Sequence, residues 1–517
     1  MDSYGILSLL PPLLAVIIAI RTKNVITALF WSGLLGVFVL AGGNPITAVP
    51  MYIKDYIFVQ AADGYNSSLL VMMIFIGGFV GVVTESGGAS AFANKVAHII
   101  NTRCKAQLAV WFMGLVIFFS DSGNPLIIGP AFQPITDKIR VSREKLAWML
   151  DATASPVCIL IPFIGWGIFI MGLMQKEFDA FHLNYTDFDT FVHVIPFQFY
   201  AIGTLFMMPV IAWTGREFGA MYRAEKRAIE LNQPYAPGSQ TARTTIDAND
   251  VHPGATYAMM LLPLLVLFVT IFGLLIPQGF PLKPVKGAIL RSALCTGYLL
   301  GAFTCLLLMF KNKVATFKEG FEMYMKGTKS VTFILMILVL AWVLGAVCKS
   351  LGTANFIVEL ARGNIPASMV PLLLFIVGMC ISFATGSSWG TFAILIPLAI
   401  PMAAKLGAPM YASIGAVLSG GLFGDHCSPI SDTTVLSAIG AACDLIDHVK
   451  TQLPYALMVC VVCGVGYFIA GIYESPLIIF GVLVGVLFMI LICSMIWGKR
   501  LPDIPVDATA SADAAKD

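Results

Sequence analysis

The sequence predicts an all-α fold: a polytopic membrane protein of two inverted-topology repeats, with broken helices and re-entrant hairpins. Three observations predict it. Charged residues are scarce, apolar runs of bilayer length recur from end to end, and polar motifs of the first half return in the same order in the second.

Of 517 residues, 58% are hydrophobic and 12% charged, with a mean hydropathy of +0.86. Soluble chains carry about 25% charged residues, so too little polar surface exists here to coat a particle in water. The bilayer is therefore the expected partner over most of the chain. A net charge of +2 says nothing about partners; no nucleic-acid partner is expected. The 11 cysteines form no even framework. Cys460-Val-Val-Cys463 has redox spacing but lies in an apolar helical run and reads as two small helix residues.

A membrane helix needs about 20 apolar residues. Such runs begin at 5–20, 25–41 and 68–83 and continue through 106–119, 146–171 and 191–213 to 455–473 and 477–497. They predict roughly 12–14 membrane segments, some of them broken. The first run lacks a basic n-region and a small-residue cleavage site, so it reads as a mature helix. A multi-pass location in the inner (plasma) membrane of a bacterium is expected.

The halves echo one another. Phe119-Ser120-Asp121-Ser122-Gly123-Asn124 parallels Phe383-Ala384-Thr385-Gly386-Ser387-Ser388, Pro130 and Pro134 parallel Pro397 and Pro401, and Thr153-Ala154-Ser155-Pro156 parallels His426-Cys427-Ser428-Pro429. Lys and Arg mark cytoplasmic loops. In the first half they fall at Arg21–Lys23 and at Lys95, Arg103 and Lys105; in the second they crowd the opposite connection, at Lys311, Lys313, Lys318 and Lys326. Opposite bias in matching connections implies inverted copies, an arrangement that places a site at the repeat interface near the midplane. The expected division is 1–214 for the first repeat, 215–253 for a cytoplasmic linker and 254–475 for the second repeat. A terminal membrane helix at 476–498 and a disordered cytoplasmic tail at 499–517 follow.

Four polar clusters interrupt apolar sequence. Ser120, Asp121, Ser122 and Asn124 combine a carboxylate, hydroxyls and an amide with helix-breaking Gly123 and Pro125. Hard cations favour such oxygen sets, although a plain interfacial turn can carry the same residues. Thr385, Ser387, Ser388 and Thr391 make an uncharged, hydroxyl-rich break, tolerated at membrane depth where it lines a cavity; packing of small residues between helices is the alternative. Asp425, His426, Ser428, Ser431, Asp432 and Thr433 are too dense in polar groups for a plain membrane helix, and Pro429 argues against continuity. His426 is either a ligand or a satisfied structural histidine. Asp151, Thr153 and Ser155 form the first-half counterpart; Asp151 is a ligand, a proton carrier or the structural partner of a lysine. A charge inside a membrane is costly and marks function or pairing. Asp121, Asn124, Asp425 and Ser428 are the Na⁺ candidates. Glu85 reads as interfacial, and Asp444, Asp447 and His448 as a membrane-surface turn.

Gly424-Asp-His-Cys-Ser-Pro-Ile-Ser-Asp-Thr-Thr434, followed by Asp447-His-Val-Lys-Thr-Gln-Leu-Pro-Tyr-Ala456, closely resembles the NhaC family of sodium/proton antiporters, as does Thr385-Gly-Ser-Ser-Trp-Gly-Thr391. The resemblance implies inverted repeats with hairpins and broken helices, and a homodimer moving a transport domain against a scaffold. It leaves the cargo open, because similar proteins exchange malate for lactate or carry amino acids.

No Walker loop or H-E-x-x-H is present, so neither ATP-driven transport nor an enzyme is expected. The leading expectation is Na⁺/H⁺ antiport through a carboxylate shared competitively by the two ions. No cofactor is expected beyond Na⁺ as transported or coupling ion. The alternative is a Na⁺- or H⁺-coupled carrier of a small organic anion or amino acid, with the 385–391 amides and hydroxyls holding a carboxylate at a helix N-terminus. No buried arginine is evident to clamp one, which favours the ion-only reading. A channel or membrane enzyme lacks a recognisable filter or nucleophile.

Overall fold

The computed structural model describes residues 4–22, 24–97, 100–237, 252–280, 287–353, 355–356, 359 and 365–503. These are overwhelmingly helical. Among the described residues, nine helices are long and apolar enough to cross a membrane, or up to 10 if the pair Asp187–Phe197 and Phe199–Thr214, bent by 49°, counts as one span. This is fewer than the apolar runs suggest, because several runs are cut at their polar motifs. The 146–171 run, for instance, is divided among helices Arg143–Thr153, Ser155–Cys158 and Gly165–Ala180. Trp213 is 84% exposed and Met495 71% exposed; large apolar groups so bare belong against lipid.

One order of elements occurs twice. In the first half, helix Arg103–Val116, a break, helix Gly123–Lys138, then Arg143–Thr153, a kink at Ala154 and Ser155–Cys158. In the second, Val370–Thr385, a break, Ser388–Leu406, then Met410–Cys427, a break and Asp432–Gly440. Each interruption has a local cause. Ser120 Oγ accepts from Gly123 N at 2.9 Å and so starts the next helix across the first break. Gly386 adopts φ +66°, a left-handed conformation that ends a helix and suits glycine, and a Cβ there would lie 2.8 Å from Ile430 backbone. Ser387 then caps the following helix through Gly390 N at 3.3 Å. Pro156 and Pro429 supply no amide hydrogen, and Ser428, directly before Pro429, is extended.

The two halves interlock through glycines. A Cβ on Gly129 would sit 2.2 Å from Gly440 O, and one on Gly440 2.3 Å from Pro125 O, so Gly123–Lys138 lies directly on Asp432–Gly440. Within the second half, Gly424 approaches Ser382 so closely that a Cβ would fall 2.0 Å from its carbonyl carbon.

One face of the molecule gathers ion pairs: Arg103 with Glu225, Arg227 Nη2 with Glu144 Oε1 at 2.8 Å, Lys145 Nζ with Glu217 Oε1 at 2.7 Å, and Arg143 Nη2 with Asp137 Oδ2 at 2.8 Å. The stretch read as a linker supplies much of this. Residues Arg216–Phe218 form a strand that pairs antiparallel with Gly498–Arg500, and Gly219–Leu231 is a helix with one buried stripe of Met221, Ala224, Glu225 and Ala228. The start of the tail expected to be disordered is thus a paired strand, because its backbone groups find partners on 216–218. Residues 238–251 and 504–517 lie outside the described residues.

Candidate functional site

Three interruptions meet at one cavity of about 450 Å³. Asp121 and Ser122 come to it from the first break, Thr385, Gly386, Ser387 and Trp389 from the second, and Asp425, Asp432 and Thr433 from the second interrupted helix. Among the described residues no Lys or Arg lines it. Its polar lining is carboxylates, hydroxyls and backbone.

Asp425 is the most enclosed of the carboxylates, at 5% exposure. Its Oδ2 accepts from Ser155 Oγ at 2.5 Å and its Oδ1 from Ser431 Oγ at 3.1 Å. One donor belongs to each half, so the carboxylate straddles the interface between them. Thr433 and Thr434 Oγ1 both donate to the Asp425 carbonyl at 3.1 Å, and Ser431 and Thr433 hydroxyls lie 3.1 Å apart. Those bonds satisfy a carbonyl that the ended helix leaves without an amide partner.

Asp121 is half-buried and held differently. Its Oδ1 accepts from Ser122 N at 2.6 Å and from Ser122 Oγ at 3.0 Å, and its Oδ2 from Trp166 Nε1 at 2.9 Å. The Trp166 ring packs on Trp389, centroids 4.8 Å apart. An indole therefore ties the first break to the second. Trp389 belongs to the 385–391 motif, whereas Trp166 did not stand out in the sequence, where it reads as one more aromatic of an apolar helix.

Other expected residues are placed elsewhere. Ser428 Oγ donates to Phe383 O at 2.8 Å, outside the cavity lining, because the extended backbone before Pro429 turns it toward Val370–Thr385. Asn124 donates to the carbonyls of Gly114 and Thr153, both at 3.2 Å, tying the first break to the first interrupted helix. Thr153, Thr385 and Thr391 each return their hydroxyl to a backbone carbonyl one turn earlier, at 2.8 Å. Ser388 is fully buried without a hydrogen-bond partner among the described residues, and Asp432 is exposed at the rim. His426 faces away: its Nδ1 lies 2.7 Å from Tyr200 OH.

Asp151 is fully buried and does not line the cavity. Its Oδ2 accepts from Gln452 Nε2 at 2.9 Å and lies 3.1 Å from His448 Nε2. His448, read as part of a surface turn, is likewise fully buried. Only Asp444 and Asp447 stay near the surface, Asp444 Oδ1 capping helix Leu445–Ile472 through Ile446 N at 2.9 Å. The overlooked signal was the four-residue spacing of His448 and Gln452, which places both on one helix face.

Residues 157–472, which hold the motifs at 385–391, 424–434 and 447–456, match the Na⁺/H⁺ antiporter family. An uncharacterized protein of Haemophilus influenzae is 32% identical over 92% of this chain and 92% of its own length. A protein of Bacillus subtilis described as the putative amino acid transporter YuiF is 22% identical over 81% of this chain and 87% of its own. Among solved structures, the YdaH transporter of Alcanivorax borkumensis shares the fold with a TM-score of 0.58 at 16% identity, covering 83% of this chain and 90% of that one. A match over more than half its length, on a helical frame of broken membrane spans, makes this chain a multi-pass membrane protein of the Na⁺/H⁺ antiporter family, a family of secondary transporters and not of enzymes.

Proposed function

We propose that the chain exchanges Na⁺ for H⁺ across a bacterial inner membrane, with Asp425 as the carboxylate that the two ions share. One observation carries this reading. A carboxylate bridging the two halves through Ser155 and Ser431 opens on a cavity rich in oxygen and free of basic residues among the described positions. Ionised, Asp425 offers a hard oxygen ligand to a dehydrated cation, with hydroxyl oxygens and Asp121 close by. Protonated, it presents no charge, and the cation leaves. Such competition exchanges the ions without any further chemistry. The face with the ion-pair cluster is then cytoplasmic, by its Lys and Arg content. The inverted relation of the halves is supported by the repeated element order and by Lys326 meeting Glu85 at 2.6 Å, which brings the basic 311–326 stretch beside the end of helix Gly64–Glu85.

A second reading, coupled transport of an amino acid or organic acid, is favoured by one feature. The N-terminus of helix Ser388–Leu406, a partial positive charge, borders the cavity beside the neutral hydroxyls of Thr385 and Ser387. Proteoliposomes loaded with a pH dye separate the two. Na⁺ or Li⁺ pulses alone are expected to move protons. If protons move only when an organic acid or amino acid accompanies the cation, the ion-only exchange is wrong.

A further inference from the structure

The cavity accounts for Asp425 and Asp121 and leaves a second buried titratable cluster unused. We propose that Asp151, His448 and Gln452 form a proton-binding site separate from the cation cavity, loaded and emptied once in each transport cycle. The proposal rests on the antiport reading above.

The geometry is that of a pair one proton short. Asp151, His448 and Gln452 all have no solvent exposure. A neutral His448 that donates Nε2–H to Asp151 Oδ2 keeps a lone pair on Nδ1. Among the described residues, Nδ1 has no hydrogen-bond partner, and neither have Asp151 Oδ1 and Gln452 Oε1; the Thr433 and Thr434 hydroxyls lie near the Asp151 carboxylate but donate to the Asp425 carbonyl instead. Buried polar networks that serve structure alone are normally satisfied. Here the free atoms are two acceptors and one basic nitrogen, the inventory that a proton completes.

Charge gives the same answer. Among the described residues, no lysine or arginine pairs with Asp151. Lys145, Arg143 and Arg227, the basic side chains along this flank, are committed to Glu217, Asp137 and Glu144. Without a bound proton the pair carries one negative charge in the membrane interior, a costly state. One proton from water, added at His448 Nδ1 or Asp151 Oδ1, makes the pair neutral overall; its return to water on the other side restores the start. Loading breaks an O–H bond of hydronium and forms N–H on His448 or O–H on Asp151; release breaks that bond and re-forms hydronium.

The site is wired to the cavity without being part of it. Ser155, the donor to Asp425, follows Asp151 in the chain just past the kink at Ala154. The titratable groups facing the pair are Asp425, His426 and Cys427 from helix Met410–Cys427, Tyr200 from Phe199–Thr214 and Glu144 from Arg143–Thr153. Asp425 is within electrostatic reach of Asp151, so a proton on the pair relieves like-charge repulsion across the interface. Filling both sites moves one proton more per cycle than the shared carboxylate alone.

Two assays on purified protein in proteoliposomes test this. Exchange of ²²Na⁺ for Na⁺ at equal pH requires only the cavity. The reversal potential of Na⁺-driven proton movement gives protons per Na⁺. Asp151→Asn keeps the acceptor for Gln452, and His448→Gln keeps an amide donor toward Asp151, so both preserve hydrogen bonding while removing titration. Each is expected to retain ²²Na⁺/Na⁺ exchange and to lower the proton-to-sodium ratio by one, with a flatter pH profile. A wild-type ratio and pH profile in both variants would overturn the proposal. Should Asp151→Asn not assemble, the ratio in His448→Gln decides alone. Undiminished ²²Na⁺/Na⁺ exchange in Asp425→Asn would strike at the cavity reading instead, an outcome separable from the ratio.

Discussion

Asp425 and Asp151 stand in the last turns of two interrupted helices, one in each half, and almost nothing around them is alike. Asp425 opens on a cavity and is held by hydroxyls from both halves. Asp151 is sealed, with an amide on one oxygen, an imidazole beside it and nothing on the other among the described residues. The contrast separates two jobs that one carboxylate performs poorly together. A cation needs a route in and several oxygens around it. A proton needs neither, and is held best where water cannot compete for the hydrogen bonds.

The sharpest way to break this comparison is Asp425→Asn. It is expected to reduce Na⁺-dependent proton movement at least about 100-fold, ~2.7 kcal/mol, comparable with removing a charged group from its buried donors. A folded Asn variant that exchanges ions near the wild-type rate would end the division of labour between the two aspartates. Asp121→Asn comes next. Asp121 is half-buried and already shared between Ser122 and Trp166, so Na⁺ affinity should weaken about 10-fold, ~1.4 kcal/mol. Protons compete with Na⁺ for ionised carboxylates, so apparent Na⁺ affinity falls as pH falls. Asp121→Glu should retain weakened binding. Calorimetric Na⁺ titrations at several pH values measure both; an Asn variant matching wild type at every pH makes Asp121 a structural anchor for Trp166.

The smallest expected effect is the most discriminating. Ser155→Ala removes the first-half donor to Asp425 and should cost about 5-fold in Na⁺ affinity, ~1 kcal/mol for one hydrogen bond. Ser428→Ala is its control. Its hydroxyl goes to the Phe383 carbonyl, so Na⁺ affinity should hold even though the two serines occupy matching motif positions. Equal losses in both would mean that the two halves contribute symmetrically to the ion, contrary to the hydrogen bonds seen.

Much of this protein was determined by sequence alone. Its composition selects lipid as solvent, and Pro156, Gly386 and Pro429 interrupt helices because of what their own backbones permit. The carboxylates and hydroxyls at those interruptions mark the site for the same local reason, since polar groups in apolar helices are costly without a purpose. Tertiary structure alone decided which of them look inward together. A residue at a break has no helical periodicity to aim its side chain, so packing turned Ser155 to Asp425 and Ser428 to Phe383 from equivalent motifs. Packing also decided between the histidines. His426, beside Asp425 in the chain, faces Tyr200, whereas His448, beside surface aspartates, meets Asp151 from 297 positions away in sequence. Contacts between halves depend on how two helices cross at a glycine such as Gly440, and that crossing is written in neither helix by itself.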